Sequence, residues 1–564
     1  MADSDKLYGF GIFGVLFVDL VVGYIMRTLV TYLSEVWKLS LVHATSIVNI
    51  WEGAAKALPL ALTFLARSFF GVAPSLCYAT LPTLFSIPVN GMFTLPGGSG
   101  LTRPARGLGL LALSTPAVLG HSTGTCTHSR QPECISTTQR ILFYTALPLV
   151  AMGMSGVVFM FEYATKDEED EDKRLTVEKV YSSRLFIVPL TVVGFAYSIL
   201  KLWSLRFGIP AICSAVTIGF LLILIWCADE PLSSGDEVKG SPLTQLIRVF
   251  VASASKVCHK LDGAELYEKP DSPALPRTRW LKCLDKAAII LPDKSREEQE
   301  KNSWTLCTVT EVEETKTAIL ISPLCLSFII CGVVISVGNS YFLEQANHLN
   351  PKLGKLKVPS LFLLVLYDLV KSIFSKIKWS SFRVGTSVTI IFSVLCCITA
   401  AKVENQRLHT VTTHNLLDRP NDGIPMSLFW MVPQYVLLAV VDSFLEQNVK
   451  LFFQQMIPTS SVSYLSLFTR AVTGIGIMGG VLSVFVVGKL SERGGKLNWF
   501  QFNLNRSRLD KYYWTLAALS AASLVFYILM SSCYKEPQTE EEASSELRDI
   551  YVCTFITIQH SIQF

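Results

Sequence analysis

The sequence predicts an all-α membrane protein of about twelve spanning helices in two six-helix bundles. Three observations carry that expectation. Half of the 564 residues are hydrophobic and only 17% are charged, and the mean hydropathy of +0.42 is above that of an ordinary soluble domain. The apolar residues gather into runs of about 20, the length that crosses a hydrocarbon core about 30 Å thick. A polar stretch, 228–316, rich in charge and proline, separates two halves built this way. That layout implies secondary transport by alternating access. A membrane-anchored enzyme would show the reverse proportions, and no enzymatic activity is expected.

The first half, 1–227, reads as the N-terminal bundle. Apolar runs at 7–33 and 46–70 carry Asp19 and Arg27, then Glu52, Lys56 and Arg67. The stretch 72–106 is irregular, because Pro74, Pro82, Pro88, Pro96 and Pro104 each remove a helical hydrogen bond. The third helix, resuming at Gly107, is therefore short or broken. Further runs follow at 140–163, 185–200 and 207–227. The first run is too long for a signal peptide and lacks a cleavage site, so it is expected to stay as a span.

The stretch 228–316 is expected to be a long polar loop between the bundles. Within it Leu243, Leu246, Ile247, Phe250 and Val251 recur at helical spacing, as an amphipathic helix lying against the membrane or the bundle would. The C-terminal bundle, 317–533, holds runs at 317–343, 358–377, 382–401, 425–446, 464–490 and 514–533. A polar tail, 534–564, follows.

Composition also excludes. A net charge of +4 without a basic block gives nucleic acid no footprint. Fourteen cysteines, mostly inside apolar runs, are no disulfide framework, although Cys126 and Cys134 could form one bridge. His121 and His128 flank Cys126 without metal-ligand spacing, and neither a metal nor another cofactor is expected. No Gly-x-x-x-x-Gly-Lys-Ser/Thr loop occurs, so energy must come from an ion gradient. Asn505-Arg506-Ser507 is a glycosylation sequon of the kind that often stays unused.

The second half carries a resemblance. "SPLTQLIRVFVASASKVCHKL", "LDKAAIILPDKSREEQEKNSWTLCTVTEVEETK", "GNSYFLEQANHLNP", "FTRAVTGIGIMGGVLSVFVVGKLSERGGK" and "LDKYYWTLAAL" are similar to the plant nitrate and peptide transporter family. That family is the plant branch of the proton-dependent oligopeptide transporters, within the major facilitator superfamily, and the wording is nearest its fifth subfamily. The likeness runs from about 177 to 536. In the first half it is patchy, at 28–33 and in "GLGLLALSTP" at 107–116. It implies a multi-pass symporter, in a plasma or vacuolar membrane, for nitrate, small peptides or a related small anionic metabolite. It also implies the cytosolic side for both termini and the central loop.

The departures bear on mechanism. The family's helix-one motif Glu-x-x-Glu-Arg/Lys aligns with Val15, Val18 and Asp19, so both glutamates are absent and the base is an acid. Phe-Leu-Ala-Asp at the end of helix two stands here as Phe64, Leu65, Ala66 and Arg67. A base that many relatives place in helix four aligns with Val158, whereas the carboxylate of helix ten is kept as Asp442. The stretch 72–106 has no counterpart. Two alternatives to a working carrier therefore stay open: a sensor that keeps the bundle without cycling, or a non-functional splice or gene-model variant.

Ionisable groups inside apolar runs mark the candidate site, since each costs about 3 kcal/mol or more at mid-bilayer unless paired or hydrated. Asp442 and Glu446, four apart, share one helix face. Two carboxylates so close disfavour joint ionisation, the behaviour a proton carrier needs. The plainer alternative leaves Glu446 at the aqueous end. Glu52 and Lys56 are spaced for a local ion pair, ahead of substrate binding, and Asp368 and Lys371 admit the same two readings. Arg27 is expected to pair with Asp19. Arg470 either snorkels to the interface or binds an anion, since guanidinium suits a planar oxyanion such as nitrate or carboxylate. Gly476 and Gly480 have the spacing for close helix approach, with a hinge as second reading. Coupling to protons, if kept without the helix-one motif, would run through Asp442, Glu52 or Asp19.

Overall fold

The computed structural model describes residues 21–65, 103–115, 135–166, 202–227, 242–259, 264–268, 281–291, 304–353, 356–420, 422–456 and 464–533, with single positions 261, 278, 298 and 299. Asp19, Arg67, His121, Cys126, His128, Cys134, the run 185–200 and the tail 534–564 lie outside them. So does most of the proline-rich stretch, 66–102.

In the first half, residues 21–27 are helical and a turn at Thr28 leads into α1 (Leu29–Glu35). α2 (Leu41–Leu65) starts five residues ahead of its apolar run. α3 (Arg103–Leu113) is short, as the prolines before it predict. α4 (Thr137–Lys166) and α5 (Trp203–Cys227) follow. Pro59, Pro148 and Pro210 sit inside α2, α4 and α5, which neighbouring helices and side chains make tolerable in a membrane. Tyr32, Trp37, Phe143 and Phe207 pack an aromatic core between these helices.

The described residues of the central loop are folded. α6 (Pro242–Ser255) packs on α7 (Lys282–Asp285), on the 3-10 turn Lys286–Ala288, and on the start of α8 (Val309–Val337). Val249, Ala252, Leu284, Ala287, Cys307 and Val312 form its small core. Val249 and Ala252 of α6 face this core, while Ile247, Phe250 and Val251 of the expected apolar stripe stay exposed on the opposite side.

α8 begins eight residues before the expected 317. The cause is a capping box. The Thr308 hydroxyl accepts from the Glu311 amide at 3.2 Å, and the Glu311 carboxylate accepts from the Thr308 amide at 3.0 Å. A π turn, Gly338–Phe342, joins α8 to α9 (Leu343–Asn347). α10 (Phe362–Phe374) is shorter than its apolar run, whereas α11 (Phe382–Thr413) outlasts its own by twelve residues, about 18 Å. α12 (Val432–Met456) also continues ten residues past 446. α13 (Leu465–Ser491) follows its apolar run closely, and α14 (Leu509–Cys533) starts five residues early.

Two short strand pairs lie between helices of the second half. β1 (Leu349–Asn350) runs parallel to β4 (Ile424–Ser427), and β2 (Lys352–Leu353) pairs antiparallel with β3 (Leu356–Lys357). Among the described residues five helices are long and apolar enough to span, namely Val309–Asn347, Phe382–Thr413, Leu428–Met456, Leu465–Ser491 and Leu509–Ser532.

The two halves share one apolar core. α13 lies against both α2 and α8, and small residues set its distance from each. A Cβ on Gly476 would stand 2.7 Å from the Gly332 Cα, and one on Gly474 would stand 2.5 Å from the Gly53 carbonyl oxygen. Close packing is therefore the role of the glycine stripe. Asn505 is buried, with its amide donating to the Leu416 carbonyl at 2.9 Å and its oxygen accepting from Arg407, so the folded sequon is closed to glycosylation.

Candidate functional site

The apolar runs bring the intramembrane charges into one seam between the halves. On the first-half side Arg27 leaves the helical turns before α1, and Glu52 and Lys56 project from α2. On the second-half side Tyr367, Asp368 and Lys371 come from α10, and Asp442 and Glu446 from α12.

Each half contributes to the other's neutralisation. Arg27 donates from Nη1 to both Asp368 oxygens, at 3.0 and 3.3 Å, and its guanidinium lies 5.3 Å from the centre of the Tyr367 ring. Asp19, the expected partner, lies outside the described residues. Asp368 and Lys371 do not neutralise each other. Lys371 instead donates to Asp442 at 2.7 Å and stands 3.2 Å from Glu446. Side chains of the α helix at i and i+3 can meet, but here opposing helices offer each charge a partner that the local one does not match.

Glu52 and Lys56 do form the local pair, at 3.1 Å. They also look across the seam, with Glu52 in Coulombic range of Arg27 and Lys56 in range of Asp442. The Asp442–Glu446 pair is not left to mutual repulsion, because the Lys371 ammonium bridges the two carboxylates. The Tyr367 hydroxyl adds a 2.5 Å hydrogen bond to Asp442. Asp442 is buried in the middle of α12, and Glu446, 60% exposed, faces open space although it is no longer near a helix end.

Tyr367 and Lys371 are the participants that sequence reasoning missed or misassigned. Their signal was available, since they stand four apart on α10 as Asp442 and Glu446 do on α12. Two such pairs on facing helices build one four-residue cluster.

Nearby, a row of hydrogen bonds closes the halves together beside the π turn. Thr45 donates to the Tyr341 hydroxyl at 3.2 Å, Asn49 to the Ser340 hydroxyl at 3.3 Å, Ser34 to Glu344 at 3.2 Å, and Asn347 to the Thr31 hydroxyl at 3.0 Å. The Tyr24 hydroxyl donates to the Leu361 carbonyl at 3.3 Å. This end of the seam is sealed, whereas Lys371 and Glu446 keep exposure further along it. Arg470, on α13, has a buried Nε and no hydrogen-bond partner among the described residues. A carboxylate cluster of this kind, bridged by amine and phenol, can exchange a counter-ion, a proton or a charged solute without rebuilding the fold.

The chain is similar to known proteins. A family model described as "PTR2: POT family" matches residues 110–500. Protein NRT1/PTR FAMILY 5.5 of Arabidopsis thaliana is 33% identical over 544 residues, covering 92% of this chain and 95% of that protein. Protein NRT1/PTR FAMILY 8.1 of the same plant is 28% identical, covering 90% of each. Among solved structures, an auto-inhibited POT family peptide transporter superposes with a TM-score of 0.58 at 15% identity, over 93% of this chain and 96% of that one. A POT family transporter in complex with 5-aminolevulinic acid gives 0.54 at 11% identity, over 93% and 96%. At these identities the structures speak for the fold alone.

Proposed function

This chain belongs to the POT family of membrane transporters, and we propose that it carries a small anion or zwitterion, such as nitrate or a short peptide, through the charged seam by alternating access. The observation that supports this most is the cross-half ion pair of Arg27 with Asp368, set beside a cluster that is sealed on one side and open on the other. A pair that spans the halves must break when they rock apart, so its energy depends on the state of the carrier.

Proton coupling fits the same seam. Arg27, Lys56 and Lys371 are already committed to Asp368, Glu52, Asp442 and Glu446. A bound anion would add a negative charge beside the buried Asp442. Protonating Asp442 or Glu446 offsets that charge, so anion and proton are most stable together. One pH unit then supplies about 1.4 kcal/mol per proton.

Reconstitution in liposomes tests the proposal. Uptake of nitrate and of dialanine is measured with and without an inside-alkaline pH step. Accumulation of either above its equilibrium level, only with the step, is the expected result. Equal uptake without the step reduces the protein to a facilitator, and no uptake of any small charged solute overturns the carrier reading.

A further inference from the structure

We propose that Arg470 is the specificity-determining residue for the negative charge of the solute. The proposal rests on the carrier reading and names the subsite that takes the anion. Arg27, Lys56 and Lys371 are each tied to a carboxylate within 3.3 Å. Arg470 alone among these four cations has no hydrogen-bond or ion-pair partner within the described residues, although its Nε is buried.

Its position sets it on the inward face of α13. The outward face of α13 is marked by Ile475, Leu482 and Val486, at 46%, 63% and 44% exposure. Thr473, Gly474 and Ile477 mark the inward face, and Arg470 precedes them by three, four and seven residues. Gly474 is the point where α13 touches α2, a Cβ there standing 3.0 Å from the Lys56 Cβ. Arg470 thus sits one turn from Lys56 along the seam between α2 and α8. The aromatic group of Phe64, Tyr464 and Phe468 packs at the same end of that seam.

The buried Nε of this half-buried guanidinium has no acceptor among the described residues, and a buried donor left unsatisfied costs stability. The planar fork is matched by a carboxylate or a nitrate, both of which accept two parallel N–H bonds. A solute anion supplies what the fold does not. The neighbouring Lys56 is held by Glu52 and adds field without competing for the same two oxygens.

The test compares ligands that differ in one charge. Uptake of dialanine, dialanine amide and nitrate is measured in liposomes for the wild type, Arg470→Gln and Arg470→Lys, with membrane abundance as control. Arg470→Gln is expected to raise KM at least tenfold for dialanine and nitrate while leaving the amide within twofold. Arg470→Lys should fall between, because it keeps charge and loses the fork. An unchanged KM for the anions overturns the proposal, as does an equal loss for the amide, which is what a merely structural arginine would give. Calorimetric binding of nitrate to the purified protein decides the matter separately from transport. Binding that is lost in Arg470→Gln supports the subsite even if the carrier reading fails on uptake. Binding that is equal in the variant, or absent from the wild type, overturns it.

Discussion

Two ionic clusters in the second half differ in one respect that separates structure from function. In the central loop, Lys316 stands 2.5 Å from Asp285 and 2.7 Å from Glu313, all three side chains at 6% exposure or less. Thr278 closes the group by donating its hydroxyl to Glu313 at 2.6 Å. In the seam, Lys371 meets Asp442 and Glu446 at similar distances, but the lysine is 31% exposed and Glu446 60%. The composition is the same, one lysine between two carboxylates. The loop cluster is closed to water, so its charges have only each other and act as a clasp holding the loop on α8. The seam cluster is open, so its partners can be exchanged. Burial, and not pairing, distinguishes them.

The largest effect should come from breaking the closed cluster. Lys316→Met leaves two carboxylates buried without a cation, a change that typically costs about 3–5 kcal/mol. Thermal unfolding in detergent should fall clearly, with uptake per folded molecule retained. Adding Asp285→Asn and Glu313→Gln should recover most of the loss. A single variant as stable as the wild type would show that water reaches the cluster and would erase the contrast.

In the open cluster the ranking reverses, with function lost and stability kept. Asp442→Asn removes the acceptor that both Tyr367 and Lys371 use, and at least a tenfold drop in pH-driven uptake is expected at normal membrane abundance. Unchanged uptake would make Asp442 a structural carboxylate like those beside Lys316. Glu446→Gln should cost less, about threefold or below, because the exposed carboxylate is already hydrated. A larger effect at Glu446 than at Asp442 would move the proton site outward along α12.

The smallest effect lies within the loop. Lys256 is buried and donates to the Ala287 and Ile289 carbonyls at 3.1 and 2.7 Å. Burial lowers its pKa from the ordinary 10.5 to about 8. The undocked lysine therefore binds more protons than the docked one between these values, and docking should strengthen as pH rises through that window. Chymotryptic nicking of the loop, scaled to a model peptide, should slow between pH 7 and 9.5. Lys256→Met should remove that dependence, and an equal slope in the variant would assign it elsewhere.

Much of the architecture was legible from local signals. Segments such as 382–401 and 464–490 announced α11 and α13 because apolar length and helical spacing act over one or two turns. The boundaries erred where polar residues are helical. The box Thr308-x-x-Glu311 could have set the start of α8, and the last twelve residues of α11 offer only Val403, Leu408 and Val411 among polar neighbours. There Glu404 and Arg407 pair at 2.7 Å inside the protein, satisfied by Gln345 and Asn505 from other elements. In α6 hydrophobicity shows that a face can be buried, not which neighbour arrives to bury it: Val249 and Ala252 meet the loop's core, while Ile247, Phe250 and Val251 stay open.

The sequence alone determined that this is a membrane bundle, which stretches are apolar enough to build it, which charges they carry, and the resemblance that the family match then bore out. The glutamate–lysine pair of α2 was also decided locally, because four residues along a helix bring two side chains together whatever surrounds them. Only the tertiary structure decided the remaining pairs. Arg27 and Asp368 are 341 residues apart, and Lys371 and Asp442 are 71 apart. Their pairing depends on how the helices are placed around the seam. That placement is set by close contacts such as Gly332 with Gly476 and Gly53 with Gly474, where the absence of a side chain lets one backbone reach another.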